Sequence, residues 1–151
     1  MPSIEVPSPF GPLAVTASGD AIVSVDWAAV ARPEPTPLLI SAAAQLTAYF
    51  EGRLRAFNVP VAPHGTPFMT KIWRRIAAVP YAETVTYGAL ARAAMSSPRA
   101  VGMACGRNPI PIIIPCHRIV GTGGAMGGYS GHGGLDTKRH LLDFERRHRA
   151  G

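Results

Sequence analysis

Cysteine is scarce in this 151-residue chain, with only Cys105 and Cys116 present. Two thiols are too few for a disulfide framework, and their spacing is not that of a zinc site. No apolar run approaches the length of a membrane span, and residues 1–10 lack the basic start and apolar centre of a secretory leader. These absences predict a soluble, cytoplasmic protein with no metal and no organic cofactor. Side-chain amides are also few: Gln45, Asn58 and Asn108 are the only ones. A glycine-rich stretch is present at 121–134, yet it contains no Gly-Lys-Ser/Thr, which argues against a nucleoside-triphosphate loop. With 47% hydrophobic and 16% charged residues, the chain is not disordered and can bury a sizeable core.

Acidic residues thin out along the chain. Residues 1–65 hold three basic and five acidic side chains, residues 66–151 twelve basic and four acidic, for a net charge of +6. A basic half beside a mildly acidic one suits a polyanion partner or a solvated basic surface, and charge alone does not choose between them.

The patterning predicts an α/β (α+β) chain in two parts. Residues 10–15 and 21–25 read as short strands separated by Ser18-Gly19-Asp20. After a proline-rich loop, residues 38–51 read as a helix with Leu39, Ala43, Leu46 and Phe50 on one face and Gly52 as its stop. This unit, residues 1–60, carries no reactive constellation, so a structural role is expected. Residues 53–65, with Pro60 and Pro63, are the linker candidate.

The second part, residues 66–151, reads as mostly helical. Thr66-Pro67 opens a helix whose core face is Phe68, Ile72, Trp73 and Ile76, and Pro80 closes it. Thr86 caps a helix over 87–94, Met95-Ser96 turns, and Ser97-Pro98 starts a second helix to about Gly106, a helix-turn-helix rhythm. That second helix carries Ala100, Gly102 and Ala104 where a major-groove reader would carry Asn, Gln or Arg. Small side chains let a helix backbone approach a narrow surface, and they equally suit a tightly packed core. Asp136 is placed as the cap of a last helix running through Arg146.

The chemistry concentrates at residues 112–120. Ile112 to Ile114 and Ile119-Val120 read as buried strand or core-lining segments, with Pro115-Cys116-His117-Arg118 between them. A core segment gains nothing from a thiol, an imidazole and a guanidinium in a row. A nucleophilic site does. Glu145 lies on the face of Leu141 and Leu142, and a carboxylate on a core stripe needs a partner, either water at the stripe's edge or His117.

Taken together, Asn108-Pro109, Pro115-Cys116-His117-Arg118, Gly128-Tyr129-Ser130-Gly131 and Lys138 to Glu145 resemble the O6-alkylguanine-DNA alkyltransferases. The likeness extends upstream through Thr66-Pro67-Phe68, Trp73, Pro80-Tyr81, Thr86-Tyr87 and Ser97-Pro98-Arg99-Ala100-Val101-Gly102. Over the first half it rests on Ser8-Pro9-Phe10-Gly11-Pro12-Leu13 and on Gln45-Leu46 with Tyr49-Phe50-Glu51-Gly52.

The resemblance implies single-turnover transfer of an alkyl group from guanine O6 in double-stranded DNA to the protein, by a monomer. Cys116 would accept it, His117 would draw the thiol proton through a water, and Glu145 would hold and polarise the imidazole. Asn108 would brace the turn. Tyr87 would help rotate the nucleotide and protonate the departing guanine, and Arg99 would fill the gap in the duplex. Ala100 and Gly102 would lie in the minor groove. Tyr129, Ser130, Ile119 and Pro111 would form the base pocket. Cys105 is expected to be a packed thiol.

Three alternatives read less well. A non-catalytic alkylguanine-recognition protein would lack the acceptor cysteine. A helix-turn-helix regulator would carry polar base readers on its second helix. A Cys-His hydrolase is awkward because neighbours on an extended chain point to opposite faces, so direct contact would require a turn.

Overall fold

A computed structural model describes residues 1–126 and 134–149. The first part is an antiparallel meander, β1 (Ser3–Val6), β2 (Leu13–Ser18) and β3 (Ala21–Asp26), in that order. Pairing of Ile4 with Val15 and of Val15 with Val25 puts alternate side chains on one buried face. Between Thr16 and Ala17 the register shifts, and beyond the shift both Ile22 and Val23 are buried. Helix α1 (Pro37–Phe50) covers this face with Leu39, Ala42, Leu46 and Tyr49. Thr36 accepts from the Leu39 N–H and Pro37 fills the first turn, so the helix starts one residue earlier than expected.

The departures from the sequence pattern have local causes. Strand β1 was not expected, because four residues between prolines carry little pattern. Residues 10–12 are not strand: the Ser8 hydroxyl accepts from the Phe10 N–H and donates to the Gly11 carbonyl, folding a turn with Gly11 at φ 108°. On α1, Tyr49 and Ala42 are fully buried where Phe50 and Ala43 were expected, a rotation of the face by one residue. The linker candidate is tied down as well. The Pro60 carbonyl accepts from the Ile22 N–H and the Ala62 N–H donates to the Ile22 carbonyl, which covers the free edge of β3.

Helix α2 (Pro67–Ala77) is capped by Thr66 and buries Ile72, Trp73 and Ile76. Strand β4 (Val85–Thr86) leads straight into α3 (Tyr87–Ala93), capped by Thr86, and α4 (Pro98–Gly106) is capped by Ser97. The turn between α3 and α4 places Met95 at φ 56° with 93% of its surface exposed. The Trp73 indole donates to the Ala104 carbonyl at 2.9 Å, fixing α4 on α2.

Strand β5 (Ile119–Val120) runs parallel to β4, Val85 opposite Ile119 and Thr86 opposite Val120. This pair is short, but it sets the start of α3 beside the residues just before β5. Helix α5 (Leu135–Arg147) then packs on those same residues. Gly134, not Asp136, occupies its N-cap position; Asp136 sits in the first turn, where its charge suits the helix dipole.

Residues 112–114 are buried, yet they are not a strand. Ile112 sits at φ 74°, Ile113 donates to the Pro111 carbonyl and Ile114 to the Ile110 carbonyl, closing a tight turn. A β-branched residue in the left-handed region stores strain on the order of 1–3 kcal/mol. Hydrogen bonds from a neighbouring side chain, Asn108, hold the turn against that strain.

Candidate active site

Cys116 opens a single 3-10 turn, Cys116–Arg118, that follows directly on Pro115. The turn is what an adjacent Cys-His pair requires to serve one site. It is clamped from below by Asn108, buried just beyond the end of α4. The Asn108 side-chain amide donates to the Ile114 carbonyl at 2.8 Å and to Cys116 Sγ at 3.2 Å, and its oxygen accepts from the Ile110 N–H at 2.9 Å. One side chain thus satisfies both limbs of the strained 110–114 segment and touches the sulfur.

Behind the thiol lies a buried charge network. Glu145 Oε2 is 2.7 Å from His117 Nε2, and the Arg118 guanidinium donates to both carboxylate oxygens at 3.0 Å. The Ala82 N–H and the Tyr49 hydroxyl complete five hydrogen bonds on this one carboxylate. Burial alone would raise the Glu145 pKa. Hydrogen bonds and charge from His117 and Arg118 outweigh it and hold the carboxyl well below its usual range.

A carboxylate only accepts, so His117 Nε2 carries the proton and Nδ1 keeps the lone pair. Nδ1 is buried and has no hydrogen-bond partner among the described residues. Burial lowers the His117 pKa; the Glu145 hydrogen bond and charge offset part of this, and Arg118 and Lys138 lower it further. The imidazole is therefore neutral and able to take a proton.

Both shifts make acid destabilising. In the unfolded chain His117 takes a proton below about 6.5 and Glu145 below about 4.5, while the folded chain resists both. Stability is thus expected to be level near neutrality, to fall below pH 6.5 and to fall more steeply below 4.5. Burial pushes the Cys105 thiol up to about 12, which by itself lowers stability as pH rises above 9.0, where the unfolded thiol ionises, while Lys138, its pKa lowered by burial, contributes in the opposite sense. Urea titrations across this range check the curve, and a maximum lying below pH 5 would contradict it.

Tyr87 begins α3 and accepts from Lys138 Nζ at 3.0 Å. Burial, then the nearby Cys105 and Cys116 charges, raise the phenol's pKa, so Tyr87 stays protonated. Lys138 is fully buried on α5, its pKa lowered by burial and raised in part by Cys105 and Cys116. The composition and spacing did not single Lys138 out, although it sits seven residues before Glu145 on the same helical face. Cys105 is enclosed in α4 and remains a thiol, as expected.

The other expected residues are scattered by role. Arg99 is exposed on α4 and Ala100 is half-buried beside it. A Cβ built on Gly102 meets nothing within 4 Å, so this glycine answers no packing demand among the described residues. Ile119 is buried in β5 and Pro111 in the strained turn. Tyr129 and Ser130, with Gly128, Gly131 and His132, lie outside the described residues. A cavity of about 360 Å³ backs onto the reactive turn, lined by Tyr81, Ile113, Ile114, Pro115 and Arg118 but by neither Cys116 nor His117. Among the described residues no three His, Cys, Asp or Glu side chains gather as a metal site.

Two family models match most of the chain. Residues 67–147 match the 6-O-methylguanine DNA methyltransferase DNA binding domain, and residues 6–63 the ribonuclease-like domain of the same proteins. The chain belongs to the 6-O-methylguanine DNA methyltransferase family. A methylated-DNA–protein-cysteine methyltransferase of Methanosarcina acetivorans is 38% identical over 148 residues, covering 91% of this chain and 94% of that one. The O6-methylguanine methyltransferase of Mycobacterium tuberculosis superposes with a TM-score of 0.86 at 35% identity, over 97% of this chain and 93% of that one. The mycobacterial protein solved in complex with DNA gives the same TM-score of 0.86 over 98% and 94%. The likeness read from Pro115-Cys116-His117-Arg118 and its company holds for this methyltransferase fold as a whole.

Proposed function

We propose that the protein repairs O6-alkylguanine in double-stranded DNA by taking the alkyl group onto Cys116, once per molecule. The observation that carries this is the arrangement behind the thiol: a neutral imidazole with its buried Nδ1 lone pair available, ordered by a carboxylate saturated with hydrogen bonds. The methylated-DNA–protein-cysteine methyltransferase relatives supply the reaction class.

In this reading the thiol proton passes to His117 through a water and the sulfur attacks the alkyl carbon. A C–S bond forms as the C–O6 bond breaks, and the bonding pair leaves on guanine. Tyr87 protonates the departing base, and the Lys138 ammonium at its oxygen steadies the phenolate that results. The thioether has no cheap reversal, hence one lesion per molecule.

The alkyl carbon is shielded in a stacked duplex, so the base must leave the helix at a cost of a few kcal/mol. Exposed Arg99, with Ala100 and Gly102 on the same helix, is assigned to the minor groove and the gap. Residues 66–151 thus carry the chemistry and residues 1–60 brace it. Tyr129, Ser130, Ile119 and Pro111 are assigned to the base pocket. Cys116, His117, Glu145, Asn108 and Tyr87 meet without a residue from a second copy, and we assign the protein as a monomer acting in the cytoplasm. No described helix is long and apolar enough to cross a membrane.

The test is peptide mass spectrometry after mixing the protein with a duplex bearing one O6-methylguanine. A methyl group on the Cys116 peptide, absent with unmodified DNA and in Cys116→Ala, is expected. Tight binding with the lesion left intact would make the chain a damage-recognition protein.

A further inference from the structure

The N-terminal unit reaches into the catalytic network through one atom. Tyr49, in the last turn of α1, is fully buried and its hydroxyl donates to Glu145 Oε2 at 2.7 Å, across 96 positions of sequence. The same oxygen takes His117 Nε2 at 2.7 Å and Arg118 Nη2 at 3.0 Å. We propose that Tyr49 is a positioning residue for the transfer, its hydroxyl setting how strongly Glu145 holds the His117 imidazole. The proposal rests on the alkyl-transfer reading of Cys116.

Three donors share one carboxylate oxygen that has two lone pairs. What Tyr49 draws from that oxygen is withdrawn from His117. Its ring cannot turn away: Phe57, Tyr81 and Phe144 surround it, with centroids at 5.6, 6.2 and 5.7 Å. Burial, then the Glu145 charge, raise its pKa well above the ordinary tyrosine value, so the phenol only donates over the working range.

The charged and titratable neighbours are few. Tyr49 is faced by Glu145 from α5, by Arg118 from the reactive turn and by Tyr81 from the segment before β4. His117 faces Glu145 and Arg118, with Lys138 contributing from α5. Arg118 is anchored separately, donating to the Val79 carbonyl at 2.7 Å, so removing the Tyr49 hydroxyl leaves the ion pair in place. Without that hydroxyl, Oε2 accepts more strongly from His117 and raises the imidazole's affinity for a second proton.

Tyr49→Phe keeps the ring and four of the five hydrogen bonds on Glu145. The full-length variant is compared with the native chain in single-turnover transfer from O6-methylguanine duplex across pH, and in NMR titration of the His117 ring. Transfer above the acidic limb is expected to rise by no more than about tenfold, because a more basic imidazole takes the thiol proton more readily. The acidic limb of the rate and the His117 titration both move to higher pH, while duplex affinity is unchanged. A fluorinated tyrosine at position 49, a stronger donor of the same shape, moves both the opposite way and serves equally if the Phe variant does not fold. An unmoved limb and an unmoved titration overturn the proposal, whatever the rate. If the native chain transfers nothing, the alkyl-transfer reading fails, and the His117 titration still decides the part played by Tyr49.

Discussion

Glu145→Gln is expected to destabilise the protein by about 3–5 kcal/mol, the cost of leaving one member of a buried ion pair uncompensated. The amide keeps the volume of the carboxylate but cannot carry its charge. Arg118, almost wholly enclosed, then keeps the Val79 carbonyl and the Tyr81 ring, whose centroid lies 5.6 Å from its guanidinium carbon. The amide nitrogen also faces donors it cannot accept from. On the Oε2 side these are Tyr49, His117 and Arg118, and on the Oε1 side the Ala82 N–H and Arg118. For a chain of this size the loss corresponds to a fall in melting temperature of about 10 °C. Calorimetry at pH 7 checks it. A melting temperature within a degree of the native one would mean that the network holds no ion pair. Transfer falls with it, because a neutral amide no longer stabilises the imidazolium that forms when His117 takes the thiol proton.

His117→Gln separates chemistry from folding. Glutamine can still donate to Glu145, and the Arg118 pair is untouched, so stability is expected to stay within about 1 kcal/mol of the native value. No base remains for the thiol proton. The single-turnover rate on O6-methylguanine duplex should drop by about 10²–10⁴, the usual contribution of a positioned general base. Duplex affinity is not expected to change, since His117 is fully buried. A rate within about threefold of native would show that His117 is not the base that takes the thiol proton. The native acidic limb is expected below pH 6.5, because burial depresses the imidazole.

The starts of α2, α3 and α4 were legible because each is a contract between near neighbours. Thr66, Thr86 and Ser97 each accept from an N–H three residues on, and the proline or apolar pattern beside them marks the place. The pairing of Glu145 with His117 was legible as one of two options, from a carboxylate on an apolar helical stripe. The 112–114 segment lines the core, one of the two readings its pattern allowed, but as a turn and not a strand, because three isoleucines signal burial whatever the backbone does. There Asn108, by bonding both Ile110 and Ile114, makes the turn win. Strand β1 leaves no mark in the pattern because four residues cannot display a period.

By itself, the sequence determined the caps at Thr66, Thr86 and Ser97, the basic second half, the cysteine and its imidazole neighbour, since these depend on residue identity and short spacing. Only the tertiary structure decided where the long side chains end. Arg118 turns to Glu145 rather than to the thiol, Lys138 is drawn in beside Tyr87, and Tyr49 crosses from the first unit to the Glu145 carboxylate. Such partners lie dozens of residues apart. Their meeting is set by how whole faces pack, and by the requirement that every charge taken into the interior find its counterpart there.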